Sequence, residues 1–331
     1  GAKAVIHHNG KTQTAENTVT RGYLSSIEPG LFFGLGKDIE VSKVEIIWPD
    51  GKTNVFENVS ANVDLTAHYS KAKTIHKTNA NDKTLLNEVS SASLGLSFIH
   101  KENEFDEYKE EILLPHNISQ NGPFTSIGDV NKDGLNDIFI GGALGQGGLL
   151  YIQTENESFV ENSSQPWSQD KDSEDLGALF FDVDKDNDLD LYITSGGSEY
   201  SQGNPLLKDR LYINDGSGNF TKNENAVPNI YESTECVKTS DVDNDGDLDL
   251  FIGTRLISGK YGFPASSYIL LNNNGIFKKA PNETTEDLIN IGMVTDAVFS
   301  DIDRDNDEDL ILVGEWMEIQ VLENIEGIFT K

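Results

Sequence analysis

Cysteine, basic residues and long apolar runs are all scarce in this 331-residue chain. The single cysteine, Cys236, excludes an intrachain disulfide framework, and we expect it to be a small buried residue on an inner strand. Only 25 lysines and arginines stand against 56 aspartates and glutamates, which gives a formal net charge of -31. That charge argues against nucleic acid and anionic membranes as direct partners. No stretch is long enough to span a bilayer as a helix, so we expect no membrane insertion.

Aspartate, by contrast, is abundant and occurs in a repeated pattern. The pattern Asp-x-[Asp/Asn]-x-Asp-[Gly/Asn]-x-x-Asp begins at Asp129, Asp182, Asp241 and Asp301, so its starts lie 53, 59 and 60 residues apart. A regular spacing of this kind indicates an array of similar units rather than an accident of an acidic composition. The four nine-residue loops hold 19 of the acidic residues. Binding of four calcium ions would therefore leave a formal charge of -23, which still repels polyanions.

The spacing within each loop suits a single hard cation. Side-chain oxygens at positions one, three, five and nine, with the backbone carbonyl of position seven, can surround one ion with about seven ligands. Calcium fits such a loop better than magnesium, which needs a smaller octahedron. The sixth position is Gly134, Asn187, Gly246 or Asn306, and these residue types adopt the positive φ that folds a loop back on its ion. The predicted metal ligands are Asp129, Asn131, Asp133, Leu135, Asp137, Asp182, Asp184, Asp186, Asp188, Asp190, Asp241, Asp243, Asp245, Asp247, Asp249, Asp301, Asp303, Asp305, Asp307 and Asp309.

An EF-hand and a solvated acidic turn are the alternatives for these loops. An EF-hand needs a bidentate glutamate at position twelve and a helix on each side. Position twelve is instead Ile140, Ile193, Ile252 or Leu312, and each lies in a short apolar run that is typical of a buried strand. A turn without an ion would not require the same template four times.

The residues around each loop predict a four-stranded unit. A short strand precedes the loop, most clearly at residues 178–181 and 297–300, and the apolar run after the loop forms the second strand. Third strands are predicted at residues 149–153, 210–214, 268–272 and 319–323. Edge strands carrying Phe159, Phe220, Phe277 and Phe329 complete the units. Four antiparallel strands in each unit of this length are typical of a β-propeller blade, so the predicted fold class is all-β.

With the cation loop between its first two strands, the unit resembles the FG-GAP repeat, also called the VCBS repeat. The resemblance covers about residues 120 to 331 and depends on the acidic motif. Such repeats build integrin-type propellers and occur in many bacterial surface proteins. The resemblance implies one calcium ion in each loop, on the rim of a propeller that usually has seven blades.

The first 70 residues do not repeat. They contain residues 21–26 (RGYLSS), 31–36 (LFFGLG) and 44–51 (VEIIWPDG), the last of which predicts a half-buried strand followed by a turn. These segments are similar, in this order, to the ASPIC/UnbV domain over residues 1–72. A polar linker is predicted at residues 73–84 and the propeller at residues 85–331, with an opening strand within residues 85–89 and 94–98.

The array is expected to be part of a longer protein. The sequence has no initiator methionine and ends just after the fourth edge strand, while an ASPIC/UnbV domain commonly lies at the end of such a propeller. An incomplete arc of four blades would keep its blade structure but expose two apolar flanks. A closed four-bladed ring is the alternative.

The predicted function is that of a binding or adhesion module for a glycan or a protein ligand. Calcium sites of this kind fill where calcium is near millimolar, which predicts an extracellular, cell-surface or periplasmic location. No catalytic residue and no organic cofactor site is predicted, because the chain lacks a nucleophile elbow, a zinc-protease helix and a catalytic triad signature. The alternatives are a polysaccharide lyase or hydrolase on a calcium-stabilised propeller, and a structural spacer. Glu315 and Trp316 follow the second strand of the fourth unit. Core packing is the expectation for the tryptophan, and the alternative is that the two residues line a surface pocket.

Overall fold

The chain divides into two compact units, which are described separately. The computed structural model describes residues 1–74, apart from positions 19, 21, 23, 24, 27 and 29, and residues 86–331. Unit 1 is Gly1–Asn87 and unit 2 is Glu88–Lys331. Most of the predicted linker, residues 75–84, and the predicted strand residue Leu85 lie outside the described residues, as do three positions of the 21–26 segment. The described helices are single 3-10 turns, and none of them is a candidate to cross a membrane.

Unit 1 is a five-stranded antiparallel sheet in the order β2-β1-β3-β4-β5. Alternate residues of the first strand are buried, and Ile6 packs with Val41 and Val44 in a small core. The first two residues of the predicted linker form the last strand, which pairs with β4. A 3-10 turn at Tyr69–Lys71 precedes that strand. The strands are β1 (Lys3–His8), β2 (Lys11–Glu16), β3 (Glu40–Ile47), β4 (Lys52–Ser60) and β5 (Lys73–Thr74).

Unit 2 begins without the predicted opening strand. The described residues 86–98 form no strand and contain only a 3-10 turn at Ser91–Leu94, so this prediction is wrong. Apolar runs had suggested a strand, but Ser90 to Ser93 bond locally through the hydroxyl and backbone groups of a serine-rich turn. A second 3-10 turn follows at Glu107–Lys109.

Four four-stranded antiparallel sheets follow, one for each acidic loop. The first contains β6 (Thr125–Gly128), β7 (Asp137–Ile140), β8 (Leu149–Gln153) and β9 (Phe159–Asn162). The second contains β10 (Glu174–Phe181), β11 (Asp190–Gly196), β12 (Arg210–Asn214) and β13 (Phe220–Lys222). The third contains β14 (Ser233–Ser240), β15 (Asp249–Leu256), β16 (Tyr268–Leu271) and β17 (Lys278–Lys279). The fourth contains β18 (Met293–Ser300), β19 (Asp309–Glu315), β20 (Gln320–Ile325) and β21 (Ile328–Thr330).

The predicted fold class is confirmed, because each sheet is a meander of neighbouring strands and so has the form of a propeller blade. Every acidic loop connects the first strand of its blade to the second, as the sequence predicts. The predicted third strands at 149–153 and 210–214 have the observed bounds. Cys236 is a buried residue of β14, as expected. Short 3-10 turns at Pro166–Gln169, Pro205–Leu207 and Glu286–Leu288 lie in the connections.

Successive blades pack face to face through apolar clusters. Between the first and second blades, Trp167 makes edge contacts with Phe139 and Tyr212, at ring-centroid distances of 5.3 and 5.5 Å. Similar clusters lie between the second and third blades and between the third and fourth. Because β11 and β15 are covered on both faces, all of their residues are buried. This explains why the second strands read as continuous apolar runs rather than as alternating ones.

An asparagine at the end of each later third strand also joins neighbouring blades. The side-chain amide of Asn272 donates to the carbonyl oxygen of Val183 in the preceding blade at 2.8 Å, and to that of Leu248 in its own blade at 3.1 Å. Its side-chain oxygen accepts the backbone N–H of Gly275 at 2.9 Å. Asn214 and Asn324 make the equivalent contacts. Each of these residues therefore fixes its own turn against the loop of the blade before it.

The fourth blade differs from the others on the face that points away from the third blade. The residue at loop position two is fully buried in the first three blades, where Val130, Val183 and Val242 are at most 1% exposed. Its counterpart in the fourth blade, Ile302, is 48% exposed. Val298 and Val321 on the same blade are also exposed. The outer face of the fourth blade is therefore apolar and exposed at the positions that are buried in the first three.

We expect Asn272→Ala to lower the free energy of unfolding by about 1 to 3 kcal/mol. The substitution removes both amide bonds and leaves the buried Val183 carbonyl without its side-chain donor. Asn273→Ala is the matched control, because this neighbouring side chain is exposed. Urea unfolding followed by tryptophan fluorescence measures both variants. Equal stability of the two would show that the amide does not hold the blades together.

Candidate functional site

Each acidic loop is folded by hydrogen bonds from its own backbone to its own carboxylates. In the third loop, the two side-chain oxygens of Asp241 accept the backbone N–H groups of Asp245 and Gly246 at 3.0 and 2.9 Å. Asp245 in turn accepts the N–H of Asp247 at 2.8 Å. The first and second loops repeat this pattern. In the fourth loop, the backbone N–H of Arg304 donates to Asp301 at 2.6 Å, in place of the backbone N–H of position five.

Two positions of each loop have a left-handed backbone. Position six has positive φ in all four loops, as its glycine and asparagine residues predict. Position four also has positive φ, at Lys132, Lys185, Asn244 and Arg304. Sequence reasoning missed this second position, since lysine and arginine are not typical of that region. The two reversals curl the chain around a single point, toward which carboxylates are directed.

The aspartate at position nine is the buried anchor of each loop. One oxygen of Asp249 accepts the N–H of Val242 at 3.0 Å, and the other accepts the N–H of Asn272 at 2.7 Å. Asp137, Asp190 and Asp309 make the same two contacts in their blades, and all four side chains are buried. Burial raises the pKa of Asp190 to about 7 and that of Asp249 to about 7, although the backbone donors act in the opposite direction. Burial also raises the pKa of Asp137.

Three loops bring carboxylates from positions one, three and nine together. In each, one oxygen from every member lies within 4.8 Å of the others, in the groups Asp182, Asp184 and Asp190; Asp241, Asp243 and Asp249; and Asp301, Asp303 and Asp309. The carboxylates at position five are not members of these groups. In the first loop the third position is Asn131, whose amide group donates to Asp133 at 2.9 Å. That loop therefore offers one carboxylate fewer.

Among the described residues, no lysine or arginine forms an ion pair with the grouped carboxylates, since Lys132 and Lys185 pair with Asp188 and Asp247 instead. Burial, with Asp186 and Asp182 nearby, raises the pKa of Asp184. One oxygen of Asp184 is buried and has no hydrogen-bond partner among the described residues. Burial and neighbouring loop aspartates likewise raise the pKa of Asp243. An all-oxygen donor set with an orphaned buried oxygen fits a hard metal ion, which would remove this repulsion.

Neighbouring loops also touch one another. The ammonium group of Lys185, at position four of the second loop, pairs with Asp247 at position seven of the third loop. Lys132 and Asp188 are 4.0 Å apart across the first and second blades. Asn244 donates to Asp307 at 2.9 Å across the third and fourth. The aspartates at position seven of the second, third and fourth loops therefore contact the preceding blade. The first loop has Leu135 at this position and lacks that carboxylate.

A second polar cluster lies at the opposite end of the blades. The side chain of Arg255 is buried and lies between Glu235 at 3.2 Å and Glu315 at 3.0 Å. Tyr261 donates to Glu315 at 2.6 Å, and the indole N–H of Trp316 donates to the Tyr261 hydroxyl at 3.2 Å. We call Arg255, Tyr261, Glu315 and Trp316 the Trp316 patch.

The position of Trp316 contradicts its expected role in the core. Its side chain is 78% exposed, and its backbone has a φ of 55°, in the left-handed region. A bulky residue rarely adopts that region, so the conformation is strained, and such strain clusters at functional sites. The turn that follows β19 turns the indole away from the core. Nothing in the local sequence signals this turn, since no glycine or asparagine occupies position 316.

We expect the buried position-nine carboxylate to stabilise the fold even without metal. In the presence of EDTA, Asp249→Ala should lower the free energy of unfolding by about 2 kcal/mol or more, because two buried N–H groups lose their acceptor. Asp243→Ala is the control from the same loop. In EDTA, Asp243→Ala should change the free energy of unfolding little, because burial and the negative charges of neighbouring loop aspartates disfavour the ionised Asp243 carboxylate. Equal losses in the two variants, measured by urea unfolding in EDTA, would contradict this division of roles.

Comparison with known families finds one match in each unit. Residues 1–74 match the family model described as ASPIC and UnbV. Residues 195–252 match that of an FG-GAP-like repeat, a span that includes the third acidic loop. Among curated proteins, none matches the chain. The chain therefore combines an ASPIC/UnbV domain with an array of blades that contains an FG-GAP-like repeat.

Proposed function

We propose that unit 2 is a calcium-stabilised binding module of an extracytoplasmic protein, and that the Trp316 patch belongs to its ligand surface. The observation that carries the proposal is the recurrence of three converging carboxylates at the same place in three successive blades. Acidic side chains that merely solvate a turn have no reason to converge. Here they converge on a point where a bound cation would relieve their repulsion.

Calcium suits these loops better than other common ions. The predicted donors are carboxylate, amide and carbonyl oxygens, which hard cations prefer, and the loops offer neither histidine nor cysteine for zinc. Calcium accepts six to eight oxygens in a flexible geometry, whereas magnesium requires a near-ideal octahedron. The ion would neutralise the carboxylates and join the first and second strands of a blade. Calcium loops of this kind fill where calcium is near millimolar, as it is outside the cytosol, and this supports the proposed extracytoplasmic location.

We expect calcium to raise the melting temperature of the protein relative to EDTA. Calcium binding to one loop would raise the free energy of unfolding by about 2.7 kcal/mol when free calcium is a hundred times its dissociation constant. The loop that begins at Asp129 should fill last, because its nine residues contain three acids against five, five and six in the others. Thermal melts and a site-resolved titration test both points, with Asn131→Asp expected to tighten the first loop. An unchanged melting temperature would contradict the calcium proposal.

The Trp316 patch has the chemistry of a glycan-binding surface. Sugars are bound by an exposed aromatic face together with polar groups that are already held in place. The indole supplies the face, while the Glu315 carboxylate is fixed by Arg255 and Tyr261. His116, whose side-chain nitrogen is 3.9 Å from Glu315, adds another donor at the edge. Because the chain carries a net charge of -31, neutral sugars are favoured over polyanionic ones.

We expect Trp316→Ala to weaken glycan binding at least about tenfold, which corresponds to 1.4 kcal/mol. Its melting temperature should stay close to that of the unmodified protein, since the indole is exposed and its backbone is strained. Ile127→Ala is the control, because it removes an exposed apolar side chain from the first blade. A glycan array in calcium, followed by titration of the best ligand, measures the effect. Binding that is indifferent to Trp316→Ala would remove the patch from the ligand surface, and no binding at all would favour the spacer.

A polysaccharide-active enzyme is the second candidate, and one observation favours it. Glu235 and Glu315 both lie beside Arg255, but their pKa values are shifted in opposite directions. In glycosidases, such a difference lets one carboxyl group act as an acid and the other as a base. Burial raises the pKa of Glu235 to about 7, whereas hydrogen bonds from Tyr261 and Arg255 outweigh burial and lower that of Glu315. Turnover of pectin, alginate or a common glycoside that disappears in Glu235→Gln but persists in Asp243→Ala would establish the enzyme.

A further inference from the structure

The three junctions between neighbouring blades are built from the same contacts. The second residue of the earlier blade's third strand, Leu150, Leu211 or Ile269, is at most 1% exposed because the later blade covers it. The asparagine at the end of the later blade's third strand donates to the position-two carbonyl oxygen of the earlier blade. The side chain at loop position four of the earlier blade contacts the position-seven aspartate of the later blade. The earlier blade therefore contributes an apolar face, a carbonyl oxygen and, in the first two junctions, a lysine.

The fourth blade presents the earlier half of such a junction. Val321, the second residue of its third strand, is 47% exposed, and Val298 and Ile302 are exposed as well. The carbonyl oxygen of Ile302 has no side-chain donor among the described residues, although each of its three counterparts has one. Arg304 at loop position four is exposed, and its guanidinium group forms no ion pair within the part of the chain that the structure describes. This face therefore offers the apolar, carbonyl and cationic groups that a following blade would contact.

The first blade lacks the later half of the junction. Gln153 stands where the later blades have asparagine, and its side-chain oxygen accepts a backbone N–H of its own loop at 3.1 Å. Position seven of that loop is Leu135, which cannot pair with a cation. Tyr151 is buried, and its hydroxyl accepts the backbone N–H of Ser97 at 3.3 Å, whereas its counterpart Tyr212 packs toward the preceding blade. The segment before the first blade therefore already covers part of the face that an earlier blade would occupy.

We infer that the outer face of the fourth blade binds a further blade of the same repeat type, and not the first blade of a second copy of this chain. The partner blade carries an asparagine at the end of its third strand, which donates to the Ile302 carbonyl oxygen. It also carries an acidic residue at loop position seven, which pairs with Arg304. The side that it presents is apolar, because Val298, Ile302 and Val321 are aliphatic.

Continuity with the existing junctions supports this choice of partner. Three successive blades are covered in the same way, and the fourth keeps the same groups at the same positions of its repeat. An exposed apolar surface alone would accept many partners, but the carbonyl oxygen and the cation require an amide donor and an acid at fixed points. The contacts are made outside the groups of three carboxylates, so the inference does not depend on the proposed calcium binding.

The test adds one blade to the full chain and measures whether the new blade covers Val321. A repeat of residues 280–331 is appended after Lys331, so that it follows the fourth blade as the fourth follows the third. It supplies both the asparagine and the position-seven aspartate. Val321→Cys in the original fourth blade introduces one exposed thiol, because the native Cys236 is buried. We expect this thiol to react with a labelling reagent at least about tenfold more slowly in the extended chain than in the original chain, since burial leaves only local opening to expose it.

The polar contacts are tested by substitutions in the extended chain. Arg304→Glu in the original fourth blade places a negative charge against the acidic residue of the added blade, and it should restore faster labelling. Arg304→Lys is the matched control, because it keeps the positive charge and should keep the protection. Asn324→Ala in the added blade removes the donor to the Ile302 carbonyl oxygen and should also restore faster labelling. Protection that is unchanged by Arg304→Glu and by Asn324→Ala would overturn the inferred partner chemistry.

A longer addition, residues 223–331, covers the case in which a single added blade does not fold. It places the third blade on the original fourth blade in the same register, and it too should protect Val321→Cys. Unprotected thiols in both extended chains would overturn the inference. Sedimentation of the original chain tests a second copy as the partner, with Val321→Lys on the fourth blade and Ile127→Lys at an exposed position of the first. A dimer that is lost in Val321→Lys would overturn the inference, and its loss in Ile127→Lys as well would identify the first blade as the partner.

Discussion

The buried carboxylate at loop position nine is the group on which each blade depends. It accepts one N–H from its own loop and one from the end of the third strand, so a single side chain holds three segments together. A carboxylate in this position is costly to bury unless donors and a cation surround it. The fold supplies the donors from its backbone and leaves the remaining charge directed at the loop centre. Fold stability and the proposed ion binding therefore depend on the same atoms in unit 2.

Contacts between blades extend this arrangement along the array. The backbone of position two donates to the position-nine aspartate of its own blade and accepts the asparagine of the next blade. Lys185 and Asp247 add a charged contact between consecutive loops. The apolar clusters are not directional, whereas these polar contacts are, and they therefore set the register of one blade on the next. An ion bound in one loop, as proposed, would consequently also order the surface on which the next blade packs.

The sequence was most informative where chemistry and spacing coincide. The acidic motif fixes where one strand ends and the next begins, which is why the strands on either side of each loop could be predicted closely. It was less informative about side chains whose roles depend on neighbours far along the chain. Trp316 is exposed because its backbone adopts a left-handed turn, and the sequence has no glycine at that position to predict such a turn. His116 lies 3.9 Å from Glu315, 199 residues later in the chain, and no spacing rule connects such residues. The 86–98 segment was misread because short apolar runs also occur in turns.

The asparagine contacts have a consequence for how such a chain can change in length. The asparagine contacts between blades are made by residues at fixed positions of the repeat, as the pairs Asn272–Val183 and Asn324–Val242 illustrate. A blade therefore recognises its neighbour by local position and not by its rank in the array. Duplication of an internal blade would supply both halves of each contact at the new junction. Addition of a whole repeat would therefore preserve the asparagine contacts between blades. Insertion of a partial repeat would instead separate an asparagine from the carbonyl group to which it donates.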